Sequence, residues 1–93
     1  MQADGGWGKY DPLFEHLCRG GDGPVEMSFD EIAWLVGGLP ASAERWQAWW
    51  ANVAEGGRHV QARAWLNAGR EVEEVDRVTR RVGFSAPRWR RGA

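Results

Sequence analysis

Seven tryptophans fall within 93 residues, and two of them, Trp49 and Trp50, are adjacent. A chain this short has room for a single hydrophobic core and buries only about two-thirds of its unfolded surface on folding. Where the indoles go therefore decides what the chain can become. With 43% apolar residues there is enough material for that core, since each fully buried aromatic contributes on the order of 2–3 kcal/mol. No disulfide can help, because Cys18 is the single cysteine. A lone thiol fits a reducing cytoplasm. No apolar run approaches the roughly 20 residues that span a bilayer, and the first ten residues lack a charged region followed by an apolar one. The expectation is a soluble, cytoplasmic domain with no membrane partner.

Local signals divide the chain into short elements. Gly5, Gly6 and Gly8 make residues 1–8 a flexible N-terminus, and 86–93 reads as a flexible basic tail, leaving one domain over 9–85. Asp11-Pro12 starts a helix carrying Tyr10, Leu13, Phe14 and Leu17, which ends at the Gly20–Pro24 loop. Val25–Ser28 reads as a strand. Ser28 and Glu31 then form a capping box for a helix with Phe29, Ile32, Ala33, Leu35 and Val36 that stops at Gly37-Gly38. Ala43–Val53 reads as a third helix, Glu55–Gly57 as a flexible break, and His59–Ala68 as a fourth helix ended by Gly69. From Arg70 onward Val72, Val75, Val78, Val82 and Phe84 interleave with charges, with a turn at Asp76-Arg77, and the resulting ribbon gains Val25–Ser28 as third strand. The fold class is α+β: about four short helices with a small two- to three-stranded antiparallel sheet, in winged-helix-like order.

Charge is unevenly distributed. Residues 1–33 hold two basic side chains against seven carboxylates, net −5, whereas residues 70–93 hold seven arginines against four carboxylates, net +3. Such polarisation orients a polyanion or a second copy of the chain. Eleven of the twelve basic residues are arginine, which a GC-rich coding sequence also explains.

On a helix over 43–53, Ala43, Trp46, Trp50 and Val53 share one face while Arg45, Trp49 and Asn52 share its neighbour. Adjacent indoles point about 100° apart, so Trp49 is the one expected to be partly exposed beside Arg45 and Asn52. Arginine meets phosphate or guanine, asparagine reads adenine, and an exposed indole stacks on an unpaired base. The competing structural reading packs Trp49 against the first helix or the ribbon and uses Asn52 as a helix cap. On the following helix, His59, Arg63, Asn67 and Arg70 form an acid-free outer stripe, which favours an anionic partner over an ordinary solvated face. The ribbon and tail add Arg77, Arg80, Arg81, Arg88, Arg90 and Arg91, with Trp89 among them, although Glu71, Glu73, Glu74 and Asp76 can neutralise part of that charge.

Catalytic patterns are missing. Cys18, His16 and His59 lack zinc spacing, no nucleophile-elbow, Walker or dinucleotide motif occurs, and Asp30-Glu31 is explained by helix capping. No cofactor and no metal is expected, and the chain reads as a binding module.

Taken together, Lys9-Tyr10-Asp11-Pro12-Leu13, Ser28–Ile32, Leu39-Pro40, Ser42-Ala43, Trp49–Asn52, His59, Gln61–Gly69 and Val82-Gly83-Phe84 resemble a small bacterial domain family of unknown function. Its pattern runs K-Y-x-P-L, L-P-x-S-A, W-W-x-N, H-x-Q-A-x-A-W-L-x-A-G and V-x-F, and the resemblance spans Lys9 to Phe84. It implies a protein that stands alone or accompanies nuclease or restriction-type modules, and it makes Trp49, Asn52, His59, Gln61 and Arg63 the positions of interest. The chain departs from the pattern at Arg70, where an aromatic residue usually follows the glycine.

The leading expectation is a nucleic-acid-binding module, for DNA first of all, with contacts from Arg45, Trp49, Asn52, Arg58, His59, Gln61, Arg63, Asn67, Arg70, Arg80 and Arg81. The alternative is a protein-interaction or homodimerisation module, in which exposed Trp49 and the oppositely charged ends meet a partner, since Trp and Arg are also enriched at protein interfaces. A third reading makes it the regulatory partner of a nuclease or toxin, bound through the acidic first third.

Overall fold

In the computed structural model, residues 8–53 and 60–88 are described. The N-terminal residues 1–7, the break at Glu55–Gly57, the helix start at His59 and the tail from Trp89 onward lie outside them. The order of elements is α1 (Asp11–Cys18), β1 (Val25–Ser28), α2 (Phe29–Val36), α3 (Ala41–Arg45), a 3-10 turn over Gln47–Trp50, α4 (Ala62–Asn67), β2 (Val72–Asp76) and β3 (Arg81–Phe84). This is an α+β domain, with four α-helices and one three-stranded antiparallel sheet among the described residues.

Strand order is β1-β3-β2, so the C-terminal hairpin takes β1 as its third strand. The pairing sets Val25 opposite Phe84 and Met27 opposite Val82, and on the other side Val72 opposite Phe84 and Val75 opposite Val82. These apolar pairs face the helices, and Glu26, Gly83, Glu74, Arg81 and Asp76 lie on the outer face, as strand alternation requires. Val72 and Val75 are three apart, a spacing that alternation alone would put on opposite faces. A bulge between Val72 and Glu74 absorbs the extra residue and returns both to the same side.

Helix boundaries follow their chemistry. Pro12 lies in the first turn of α1, which buries Leu13 and Leu17. In α2 the Ser28 hydroxyl accepts from the Glu31 amide at 3.0 Å and the Glu31 carboxylate accepts from the Ser28 amide at 2.7 Å. The helix ends at Gly37, whose φ of +78° lies in the left-handed region that favours glycine. Gly69, φ +76°, closes α4 in the same way.

The helix expected over 43–53 does not form. Trp46 is extended (φ −123°, ψ 122°) and separates α3 from the 3-10 turn. The reason lies in the core: the break lets Trp50 turn inward, where its indole N–H donates to the Ala43 carbonyl at 2.8 Å. Trp50 then stacks between Phe29 at 5.0 Å and Trp65 at 6.0 Å, and Trp65 packs on Phe84 at 5.7 Å. Burying a large indole with its one donor satisfied outweighs a further turn of hydrogen bonds between backbone groups that water would also satisfy. With that segment broken, the helix that a winged-helix arrangement would lay in a groove is only five residues long.

The chain beyond β3 is tied down as far as it is described. Pro87 is buried and the Arg88 amide donates to the Gly69 carbonyl at 2.7 Å.

Candidate functional site

The residues expected to form one polar face are distributed by the fold to different tasks, most of them internal. Asn52 stands beside the edge of β2. Its Nδ2 donates to the Val72 carbonyl at 3.0 Å, and its Oδ1 accepts from the Val72 amide at 2.8 Å and from the Trp65 indole at 2.9 Å. The amide thus imitates a neighbouring strand for one residue of β2 and satisfies the sole donor of a fully buried tryptophan. It neither caps a helix nor offers its hydrogen-bonding edge to a base.

Gln61 is buried, with Nε2 donating to the Trp49 carbonyl at 2.7 Å. Trp49 itself is half-buried: its ring meets Trp50 edge-on at 4.7 Å and Tyr10, at the start of α1, at 6.0 Å. The expected exposure of Trp49 is therefore partial and taken up by packing against the first helix. Burial also raises the pKa of the Tyr10 phenol.

Arg70 is the largest departure, because it is fully buried. Its Nε donates to Leu17 O at 3.0 Å, Nη1 to Gly23 O at 2.8 Å and Ser85 O at 3.0 Å, and Nη2 to Gly21 O at 2.9 Å. One guanidinium thereby joins the end of α1, the glycine loop and the strand leaving β3. Burial lowers its pKa, an effect opposed by the nearby Cys18 and Asp22. The cage has no room for a side chain at Gly20, where a Cβ would lie 2.7 Å from Val25 Cγ2 and 3.0 Å from Arg70 Nη2. Arg70 is thus removed from the outer stripe on which the sequence placed it.

Arg80 and Arg81 are engaged by carboxylates. Arg80 grips Glu44 through Nε and Nη2, both at 3.0 Å, and Asp30 through Nη1 at 2.8 Å. Those two partners raise its pKa, Glu44 first. The residue adopts φ +60°, the one non-glycine residue in that region among the described residues. Its guanidinium lies 5.7 Å from the Phe29 ring centre, and its carbonyl accepts from the Phe29 amide at 2.8 Å. Arg81 pairs with Glu26 at 3.2 Å. Of the other expected contacts, Arg45, Arg63 and Asn67 are exposed, while Arg58 and His59 lie outside the described residues. The continuous Trp/Asn/Arg/His face of the sequence reading is not assembled by the described residues.

A different surface stands out. Trp34 is 83% exposed, Trp46 63% and Val78 92%. Each adjoins the Arg80 network. Trp34 is one helical turn from Asp30 on α2, Trp46 follows Arg45 at the end of α3, and Val78 lies in the turn between β2 and β3. That turn is fastened to α3 by Arg77, whose Nη1 donates to the Arg45 carbonyl at 2.7 Å. The network therefore fixes the α2 and α3 surfaces and the hairpin turn relative to one another. Sequence reasoning placed Trp46 on the buried stripe and Val78 in a strand, and it passed over Trp34. A signal for Trp34 was present: five residues after Phe29, it is off the stripe formed by Phe29, Ile32 and Val36.

On the outer sheet face, Glu26, Glu74, Asp76 and Arg81 surround a shallow depression floored by Gly83. Among the described residues no group of three His, Cys, Asp or Glu could hold a metal ion, and no helix is long and apolar enough to cross a membrane.

Fold and surface together define a small α+β domain organised round an aromatic column, with two solvent-facing indoles, one on α2 and one after α3. The chain belongs to the family described as Domain of unknown function (DUF7662), whose model matches residues 10–87. No curated protein and no solved structure matches the chain.

Proposed function

We propose that this domain is a protein-interaction module and that partners dock on the face carrying Trp34, Trp46 and Val78 around Arg80. The supporting observation is the exposure of two indoles and a valine beside an ordered ion-pair network, in a chain whose other large aromatic side chains in the described region are wholly or half buried. Tryptophan beside arginine is the composition of interface hot spots, and clustered exposed apolar side chains mark docking surfaces. A photo-reactive side chain installed in place of Val78 tests the reading in the producing cell. The expected result is a discrete protein adduct, identified by mass spectrometry, that disappears when Trp34→Ser is added. Absence of any such adduct overturns the reading.

A nucleic-acid-binding reading draws on one observation: Arg63 and Asn67 are exposed one turn apart on α4, a helix with no carboxylate. With Arg45 they are what the described residues leave of the expected contact face. Binding through these groups would fall steeply with salt. A gel shift against duplex and single-stranded DNA at two salt concentrations, with Arg63→Ala as control, decides it, and no shift at low salt removes it.

A further inference from the structure

We infer that the docking partner presents an arginine side chain to Trp34, stacked on its indole and paired with Asp30 and Glu31. The inference rests on the docking reading above and names the chemistry of the partner at one point of the surface. A single helix, α2, places all three side chains. Asp30 and Glu31 precede Trp34 by four and three residues and all three are exposed, so both carboxylates lie one turn N-terminal to the indole on the outer side of the helix. Long side chains on a helix lean towards its N-terminus, which carries the indole over that turn.

Trp34 is 83% exposed, and its side chain makes no hydrogen bond or ring contact among the described residues. An indole face is thus open beside two carboxylates. The two cations bonded to α2 are directed elsewhere. Arg80 reaches Asp30 Oδ1, Glu44 and the Phe29 ring, and Lys9 donates to the Val36 carbonyl at 2.8 Å. Asp30 bonds Arg80 through one oxygen and keeps a side chain 77% exposed. Glu31 accepts from the Ser28 amide and forms no ion pair among the described residues. The helix has no basic residue of its own. A ring face and a carboxylate each attract a cation. An apolar group would strip water from the carboxylates without replacing it, and an acidic one would be repelled. Arginine fits better than lysine, because a planar guanidinium stacks on an indole while its edge donates to a carboxylate, whereas an ammonium is a point charge.

Two-dimensional NMR of the full chain tests the inference, with a blocked peptide of three alternating Arg-Gly units as probe and its lysine analogue for comparison. The α2 backbone amides and the Trp34 indole N–H should shift and saturate with the arginine peptide. The lysine analogue, Trp34→Ser, and Asp30→Asn combined with Glu31→Gln should each bind about 2- to 5-fold more weakly, the range for one exposed cation–π contact or ion pair. Both amide substitutions keep the acceptors that meet Arg80 and Ser28, and Trp34 is exposed, so the variants fold; thermal melting verifies it. Unmoved α2 amides at millimolar peptide overturn the inference. So do shifts confined to the outer sheet face around Glu26, Glu74 and Asp76, lysine binding as tight as arginine, or an affinity indifferent to the substitutions. The two levels fail separately: if α2 ignores the peptide while the adduct from position 78 still depends on Trp34, the arginine is lost and the docking face is kept.

Discussion

Arg70 and Arg80 are ten residues apart, and both anchor loops to the body of the domain, yet they do so by opposite physics. Arg70 is enclosed and binds four carbonyl oxygens from three segments. Arg80 is at the surface and binds two carboxylates from two helices. A buried guanidinium gives up its hydration, so every N–H left without an acceptor is costly, and its planar fork suits acceptors fixed in several directions. A surface guanidinium keeps much of its water, gains little from each ion pair, and remains sensitive to salt. The contrast separates stability from contact: the first arginine closes the core, and the second shapes a surface from which the indoles project.

The most severe way to break the comparison is at Arg70. Arg70→Met keeps the stem but leaves four carbonyls facing an apolar side chain. We expect a loss of at least about 3 kcal/mol, read as a lowered urea midpoint. Arg70→Lys recovers only a minor part, because three tetrahedral donors cannot reach acceptors arranged for a planar fork. A lysine variant within about 1 kcal/mol of the parent would show that charge rather than geometry holds the site. Next in size is Asn52→Ala. It strands the indole N–H of a fully buried tryptophan and frees the Val72 backbone at the edge of β2, for an expected cost of about 2 kcal/mol. An Asn52→Ala protein of parental stability that had lost affinity for DNA would restore the base-reading role that the fold assigns elsewhere.

Much of this architecture is legible in local chemistry. Pro12 at the start of α1, the Ser28–Glu31 capping box and the left-handed Gly37 and Gly69 each act within one turn of the backbone, so short-range signals suffice to place them. The third strand was legible too, because an isolated hairpin needs a partner. The break at Trp46 was not. It depends on a hydrogen bond from the Trp50 indole to the Ala43 carbonyl, which a periodicity count over 43–53 does not register, and on Phe29 and Trp65 flanking that indole, which lie outside that window. The internal bonds of Arg70, Asn52 and Gln61 were illegible for the same reason. Arg70, Asn52 and Gln61 carry the side chains that nucleic-acid recognition uses, but amides and guanidinium groups are also what a small domain uses to satisfy buried carbonyls, indoles and strand edges. Which use prevails depends on groups as much as 53 residues distant, as with Arg70 and Leu17.

On the exposed side the expected effects are smaller and respond to solution conditions. Arg80→Ala removes both ion pairs, and its effect on stability should be below that of Asn52→Ala and shrink as salt rises. A salt-independent loss would mean that the positive φ of residue 80 and its packing on Phe29, rather than its carboxylate partners, hold the turn.

The smallest expected effect belongs to the turn that carries Val78. Asp76 Oδ1 accepts from the Val78 amide at 3.0 Å and from the Thr79 amide at 3.1 Å, and these bonds, that from Thr79 foremost, lower its pKa. A carboxyl whose folded pKa is depressed stabilises the fold at pH values above the ordinary aspartate pKa, near 4. That contribution is lost as pH falls through the depressed folded value. Asp76→Asn can still accept the two bonds but is neutral throughout. The parent should therefore be the more stable protein near neutrality, and its advantage should decline as pH is lowered from about 6 to about 2. Other carboxylates are common to both proteins, so the difference between their urea midpoints isolates Asp76. A difference that stays constant over that range would show that the turn is held by bond geometry alone, and that the orientation of Val78 towards a partner owes nothing to charge.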